Sequence, residues 1–196
     1  MIVLRIKGFE IKVSFFALAL VSLLVVSNRM TGLLLCFLSV LIHELGHLFA
    51  MLLCKCEIYS LQIAVFDIRI IQKSRYGISL YNDLFITLSG PFSNLLFYFL
   101  LSGICPELAY INLSLGLFNL LPASSLDGGR ALFLILNKPL GAEKSSIVVD
   151  IITIIISIPL FAAGFFILLR TRYNFSLLFV GLYLFFGVFI RKDKYL

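Results

Sequence analysis

The chain has 196 residues, 61% of them hydrophobic and 13% charged, with a mean hydropathy of +1.10 and a formal net charge of +6. Soluble domains are about 45–50% apolar, so the composition excludes an ordinary soluble enzyme and indicates a polytopic protein of the lipid bilayer. The basic residues lie at segment ends, as topology determinants do, and not in a patch that would bind nucleic acid.

Residues 1–13 alternate polar and apolar side chains on both sides of Gly8, the pattern of a short ribbon with a break at that glycine. Glu10 and the lack of a small-residue cleavage site argue against a signal peptide. A first span is expected from about Val13 to Val26, followed by a turn at Ser27 to Arg29. The second span, about Thr31 to Cys54, holds the sequence His43-Glu44-Leu45-Gly46-His47 and with it the chain's only 2 histidines. Ionisable groups at membrane depth cost several kcal/mol (about 2.5–3.5 on insertion scales) and by default signal function. Positions i and i+4 share one helix face, so His43 and His47 can grip one metal ion. Glu44 follows the first ligand, where it can act on water at the metal. This is the zinc arrangement H-E-x-x-H, with the glutamate as general base.

Residues 55–80 are rich in β-formers, with strand patterns at Ile58 to Val65 and Phe66 to Ile70 and a turn at Lys73 to Gly77. An open sheet edge cannot face lipid, so this piece is expected at the interface or against protein, where its edge could receive an extended peptide. A third span, about Leu84 to Leu101, carries Gly90, Pro91 and Asn94. Gly-Pro inside a span breaks or kinks the helix, and Asn94 can hydrogen-bond across helices. A fourth span, Leu108 to Leu121, gives way to a segment with one Pro, two Ser and two Gly through Gly129, and apolar residues resume from Ala131 to Leu136. Such backbone cannot be left in lipid and is expected to line a cavity. Asp127 is its carboxylate. His, His and a carboxylate make a catalytic zinc set with one position open; the plainer reading of Asp127 is a helix N-cap or a partner of Arg130. A polar loop at Asn137 to Ser146 and two further spans, about Ile147 to Leu169 and Phe175 to Ile190, complete the chain.

The expected fold class is therefore an α-helical polytopic membrane protein with about six transmembrane helices and a small interfacial β-rich segment. Residues 1–196 form a single membrane-embedded domain, with a core at about 31–136 and two further helices in 137–196. With six spans, all but three of the 16 Lys and Arg residues fall on one side, the exceptions being Arg29, Arg170 and Arg172. The positive-inside rule then places both termini in the cytosol and His47 toward the cytosolic face. The four cysteines lie in or beside apolar segments and read as thiols.

Three pieces taken together are more specific than any alone: His43-Glu44-Leu45-Gly46-His47, Gly90-Pro91-Phe92-Ser93-Asn94, and Asn119-Leu120-Leu121-Pro122 leading into Leu126-Asp127-Gly128-Gly129. In this order the sequence resembles the site-2 protease family of intramembrane zinc metalloproteases. The resemblance implies a zinc metallo-endopeptidase with Zn2+ held by His43, His47 and Asp127 and with Glu44 as catalytic base. It makes Asn119 a candidate for positioning substrate or stabilising the oxyanion, and gives Gly90, Pro91 and Asn94 a structural or substrate-positioning role. The implied substrates are proteins with membrane-associated or transmembrane segments, with room for membrane inhibitor or regulatory subunits as partners.

Within the family, the layout looks most like the branch that processes a sporulation sigma-factor precursor. That branch usually carries a nucleotide-sensing domain after the last span, and none is expected here. A housekeeping protease clearing signal-peptide or transmembrane remnants is the alternative. The rival from another class is a membrane metal transporter using the same three ligands, although the spans offer no second ionisable cluster for a transit path.

Overall fold

The computed structural model describes residues 2–6, 9–13, 30–56, 58–63, 68–72, 79–171 and 176–191. The expected first span lies outside them. The chain divides into two compact units, Met1–Gly116 and Leu117–Leu196.

The first unit contains a four-stranded sheet in the order β1-β2-β3-β4. β1 (Ile2–Ile6) and β2 (Phe9–Val13) pair antiparallel, with Ile6 opposite Phe9. β2 runs parallel to β3 (Ile58–Ile63), with Glu10 opposite Ser60. β3 pairs antiparallel with β4 (Ile68–Gln72), with an irregularity between Ile58 and Ser60. A parallel pair needs a long crossover, and here the chain between β2 and β3 includes helix α1 (Met30–Leu53).

α1 is a 24-residue run with Glu44 as its one carboxylate. It closes with a Schellman cap. The Cys56 N–H donates to Met51 O at 2.9 Å and the Lys55 N–H to Leu52 O at 3.1 Å, while Lys55 takes the left-handed conformation, φ 55°, usually left to glycine. Helix α2 (Leu80–Leu101) begins one turn earlier than the apolar run suggests, because the Ser79 hydroxyl caps it by accepting the Asn82 N–H at 3.2 Å. It continues through Pro91, where a break or kink was expected. Pro91 has no N–H to give to Thr87, and the residue is buried against protein. Ala50 and Met51 of α1 pack on Ile86 of α2, with Cys54 and Cys56 beside them. All four cysteines are free thiols. Outside the spans, burial, reinforced by Cys54 and Asp83, pushes the Cys56 thiol pKa up.

Helix α3 (Pro106–Asn119) starts in the first unit, where Gly116 lies against Pro91 O at a would-be Cβ distance of 3.1 Å. In the second unit the chain turns at residues 120–126 into α4 (Asp127–Leu140), then α5 (Ala142–Thr171) and α6 (Ser176–Arg191). The 120–126 turn is a packed core element. Ala123 and Leu126 cluster with Leu184 of α6, flanked by Phe118, Leu121, Leu160 and Val180. The buried Ser124 N–H is satisfied by Thr153 Oγ1 of α5 at 2.8 Å, and that hydroxyl donates to Val149 O at 2.7 Å. Inside this unit, helices shield the turn's polar backbone. α5 faces its neighbours with a stripe at Ser145, Val149, Thr153, Ser157 and Gly164. At Gly164 the stripe meets α6 backbone, with the Leu178 Cα 2.7 Å from a would-be Cβ.

Three helices are long and apolar enough to cross a membrane by length and composition: Leu34–Leu53, Leu80–Leu101 and Ala142–Thr171. The expectation of six is thus met by three among the described residues. The expected fourth span ends at Asn119 after 14 residues, about 21 Å of helix, which falls short of a bilayer core of about 30 Å. α6, with 16 residues, is likewise short. The polar loop expected at 137–146 is largely helical. α4 runs to Leu140 with Pro139 in its last turn, where one backbone hydrogen bond is forgone, and Gly141, at φ 79°, breaks the path before α5.

Candidate metal centre

The α1–α2 interface is built from residues spaced four apart on each helix. Ser39, His43 and His47 on α1 face Asn94, Gly90 and Ile86 on α2, running in opposite directions. Small residues let the backbones meet. A Cβ on Gly46 would lie 2.6 Å from both Ser89 O and Ser93 Oγ, and one on Gly90 would strike His47 Nε2 and lie 2.9 Å from His43 Nε2. Such close approach through small residues is how helices associate where no hydrophobic force drives them together. The Ser93 hydroxyl contacts Ile42 O across the interface at 3.0 Å.

Each imidazole is fixed through its Nδ1. His47 Nδ1 lies 2.7 Å from Ile86 O, and a carbonyl only accepts, so this nitrogen carries the proton. His43 Nδ1 lies 2.7 Å from Asn94 Oδ1. The amide orientation follows from its other end: Asn94 Nδ2 donates to Ser39 O at 3.0 Å and to Asn112 Oδ1 at 2.8 Å. Asn94 therefore presents its oxygen to His43, which must donate from Nδ1. His43 is 6% exposed, and Ser39, Asn94 and Asn112 are 0% exposed, so this chain of bonds runs through dry protein.

With both protons on Nδ1, both Nε2 atoms hold lone pairs, and the two lie 3.2 Å apart with the rings nearly perpendicular at 84°. Two lone pairs that close repel unless a cation lies between them. Nitrogens bound to one tetrahedral zinc at about 2.0–2.1 Å sit about 3.3 Å apart. A second partner on the opposite ring nitrogen is the usual device for orienting a metal-bound histidine and raising its basicity. The histidine pair of α1, braced by α2, thus fits a divalent metal. Among the described residues, the group of His, Cys, Asp or Glu side chains that could hold one comprises His43, His47 and Asp127.

The other expected site residues take these places. Glu44 is half-buried on α1, one residue beyond His43. Gly90, Pro91 and Asn94 all lie on the buried face of α2. Asn119 is the last residue of α3 and Asp127 the first of α4. Asp127 is not the N-cap: Leu126 holds that position in extended backbone without a side-chain cap. The aspartate sits inside the first turn, where the helix dipole favours its negative charge. Its Oδ2 is buried. The two glycines after it let that turn press on the preceding loop. A Cβ on Gly128 would reach Leu121 O at 2.5 Å, and one on Gly129 would meet Ala123 O and lie 2.9 Å from Ser124 N. Asn112 was missed in the sequence, although an asparagine within the apolar stretch 108–121 is itself a signal of a satisfied interhelical contact.

Residues 102–162 match the sequence model of peptidase family M50. This stretch includes Asn119, the 120–126 turn and Asp127, and excludes the two histidines. The whole fold is similar to that of the "Site-2 Protease from Methanocaldococcus jannaschii", with a TM-score of 0.70 at 24% identity, covering 96% of this chain and 94% of that one. No curated protein matches the sequence. The fold is therefore similar to that of a site-2 protease, and its first unit holds a histidine pair suited to a metal.

Proposed function

We propose that this chain is an intramembrane zinc metalloprotease of the site-2 type, hydrolysing peptide bonds of membrane-associated or membrane-spanning proteins. The observation that carries the reading is the histidine pair: two imidazoles tied down by Nδ1, with their Nε2 lone pairs turned toward each other 3.2 Å apart, on a helix that also carries Glu44. The fold similarity and the M50 match over residues 102–162 support it.

In this mechanism His43, His47 and Asp127 would hold the metal. Bound zinc would supply Lewis acidity, acidifying water and polarising a carbonyl. Glu44 takes the proton of the attacking water and delivers it to the leaving amine. Asn119 donates to the oxyanion that develops on the substrate carbonyl. Asn94 and the Ile86 carbonyl hold the imidazoles so that neither ring turns away during the reaction. Substrate must unwind to be cut, since a helix shields its own peptide bonds.

The site faces the cytosolic side and both termini are cytosolic in this proposal, which rests on the distribution of Lys and Arg. That orientation is shared with stage IV sporulation protein FB, and a sporulation sigma-factor precursor is the substrate it favours. The test is co-expression with tagged candidate substrates, the sigma-factor precursor and signal-peptide remnants among them. Wild type should cleave. Glu44→Gln should retain metal and fold but lose cleavage, and Asp127→Asn should lose metal as well. Full cleavage by Glu44→Gln would refute the mechanism.

A further inference from the structure

Beyond the five residues assigned to chemistry, and behind the Asn94 that holds His43, lies a buried polar residue that the mechanism has not used. Asn112, on α3, is 0% exposed and makes three contacts. Its Nδ2 donates to Ser39 Oγ at 3.0 Å and to Leu108 O at 2.9 Å, and its Oδ1 accepts from Asn94 at 2.8 Å. The orientation of this amide is dictated by Leu108 O, which can only accept. Its oxygen must therefore point to Asn94. The second N–H of Asn94 is thereby engaged, its own oxygen is committed to His43, and the proton of His43 is kept on Nδ1. Removing the Asn112 oxygen leaves a buried Asn94 N–H without an acceptor, and the amide then has reason to move off His43.

We propose that Asn112 is a positioning residue for His43, acting through Asn94 to fix the imidazole tautomer that leaves Nε2 able to bind a metal. The inference rests on the metal-site reading for its purpose, but its structural content does not. His47 is not served by this chain, because its Nδ1 is held by a backbone carbonyl. The two histidines should therefore respond differently to one substitution 65–69 residues away in sequence.

The test uses metal-free protein labelled with 15N-histidine, in which the chain's 2 histidines give the only imidazole signals. Asn112→Leu fills the space but offers no oxygen. It should shift the His43 Nδ1–H signal and speed its exchange with water, leave the His47 signal in place, and weaken Zn2+ affinity about tenfold. Asn112→Asp, whose buried carboxyl keeps its proton for Leu108 O, still presents its carbonyl oxygen to Asn94 and should restore the His43 signal. If Asn112→Leu does not fold, Asn112→Val carries the same test: it is smaller than leucine and likewise takes away the oxygen that Asn94 uses. A shift confined to His43 supports the role. Unchanged signals, equal shifts of both histidines, or failure of Asn112→Asp to restore His43 would each overturn it. Because the imidazole signals need neither metal nor substrate, their failure to respond leaves the protease reading standing, and an inactive wild type leaves this inference standing.

Discussion

Replacing Gly90 with alanine adds one methyl group where the structure has no room for it. That carbon would strike His47 Nε2, lie 2.6 Å from His47 Cε1 and lie 2.9 Å from His43 Nε2, where ordinary contact begins at 3.4 Å. Relief requires displacements of ~0.5–0.8 Å for the latter two contacts and more for the first. The rings cannot give way freely, because each is tethered by a 2.7 Å hydrogen bond. A shift of about 1 Å breaks at least one tether or parts the helices. Overpacking of this kind costs about 1–3 kcal/mol, and for a chain of this size each kcal/mol is worth about 2–4 °C in Tm. Alanine is otherwise the better helix former by about 1 kcal/mol, so without the clash the variant would be stabilised, and the sign alone is diagnostic. Metal affinity should fall about 10–100-fold, as when a partner of a ligating histidine is lost. Competition against a chromogenic chelator in detergent reads the affinity, and thermal unfolding of the metal-free protein reads the stability. A variant that binds zinc within twofold of wild type and melts no lower would show that the imidazoles do not rest on the α2 backbone.

Two further substitutions probe the frame around the site. Lys55→Gly at the left-handed cap of α1 should raise stability by about 0.5–1 kcal/mol, since the strain of a side chain there exceeds the entropy that glycine adds to the unfolded chain; a lower Tm would count against the cap. Thr153→Val keeps shape but strips the hydroxyl that accepts the Ser124 N–H, so a buried donor is left without an acceptor and stability should drop by about 1–3 kcal/mol. Denaturant unfolding checks the second, and a neutral result would mean that the 120–126 turn is not anchored on α5.

The histidine pair was legible in the sequence because its information is local: two residues four apart on an apolar helix share a face by helix geometry alone. Asn94 was legible only as some polar clamp, since its partner, His43, lies 51 residues away and nothing in the pattern names it. Asn112 was harder still, as its effect passes through another side chain. The count of six spans is a different matter: three helices among the described residues are long and apolar enough to cross, and the expected first span lies outside those residues. Hydropathy marks where residues would be content in lipid and not where a helix stops; α3 ends at Asn119, and Leu121 and Leu126 belong to a core with α5 and α6. The plainer reading of Asp127, an N-cap, rested on Asp being a common cap; here Leu126 holds that position and the aspartate lies inside the first turn.

The opposed ladders, Ser39-His43-His47 on one helix and Asn94-Gly90-Ile86 on the other, make the site a matter of spelling as much as of chemistry. Each rung depends on counting in fours along both helices of the pair. Adding or deleting one residue within either ladder turns everything beyond it by about 100°, separating at least one imidazole from its tether while leaving composition, hydropathy and the motif letters almost intact. Substitutions at outward positions such as Phe37, Leu45 and Phe99, which are exposed, leave both ladders in step. The lineage of such a protein is thus free to rewrite its outer surface but not to change the length of these two segments.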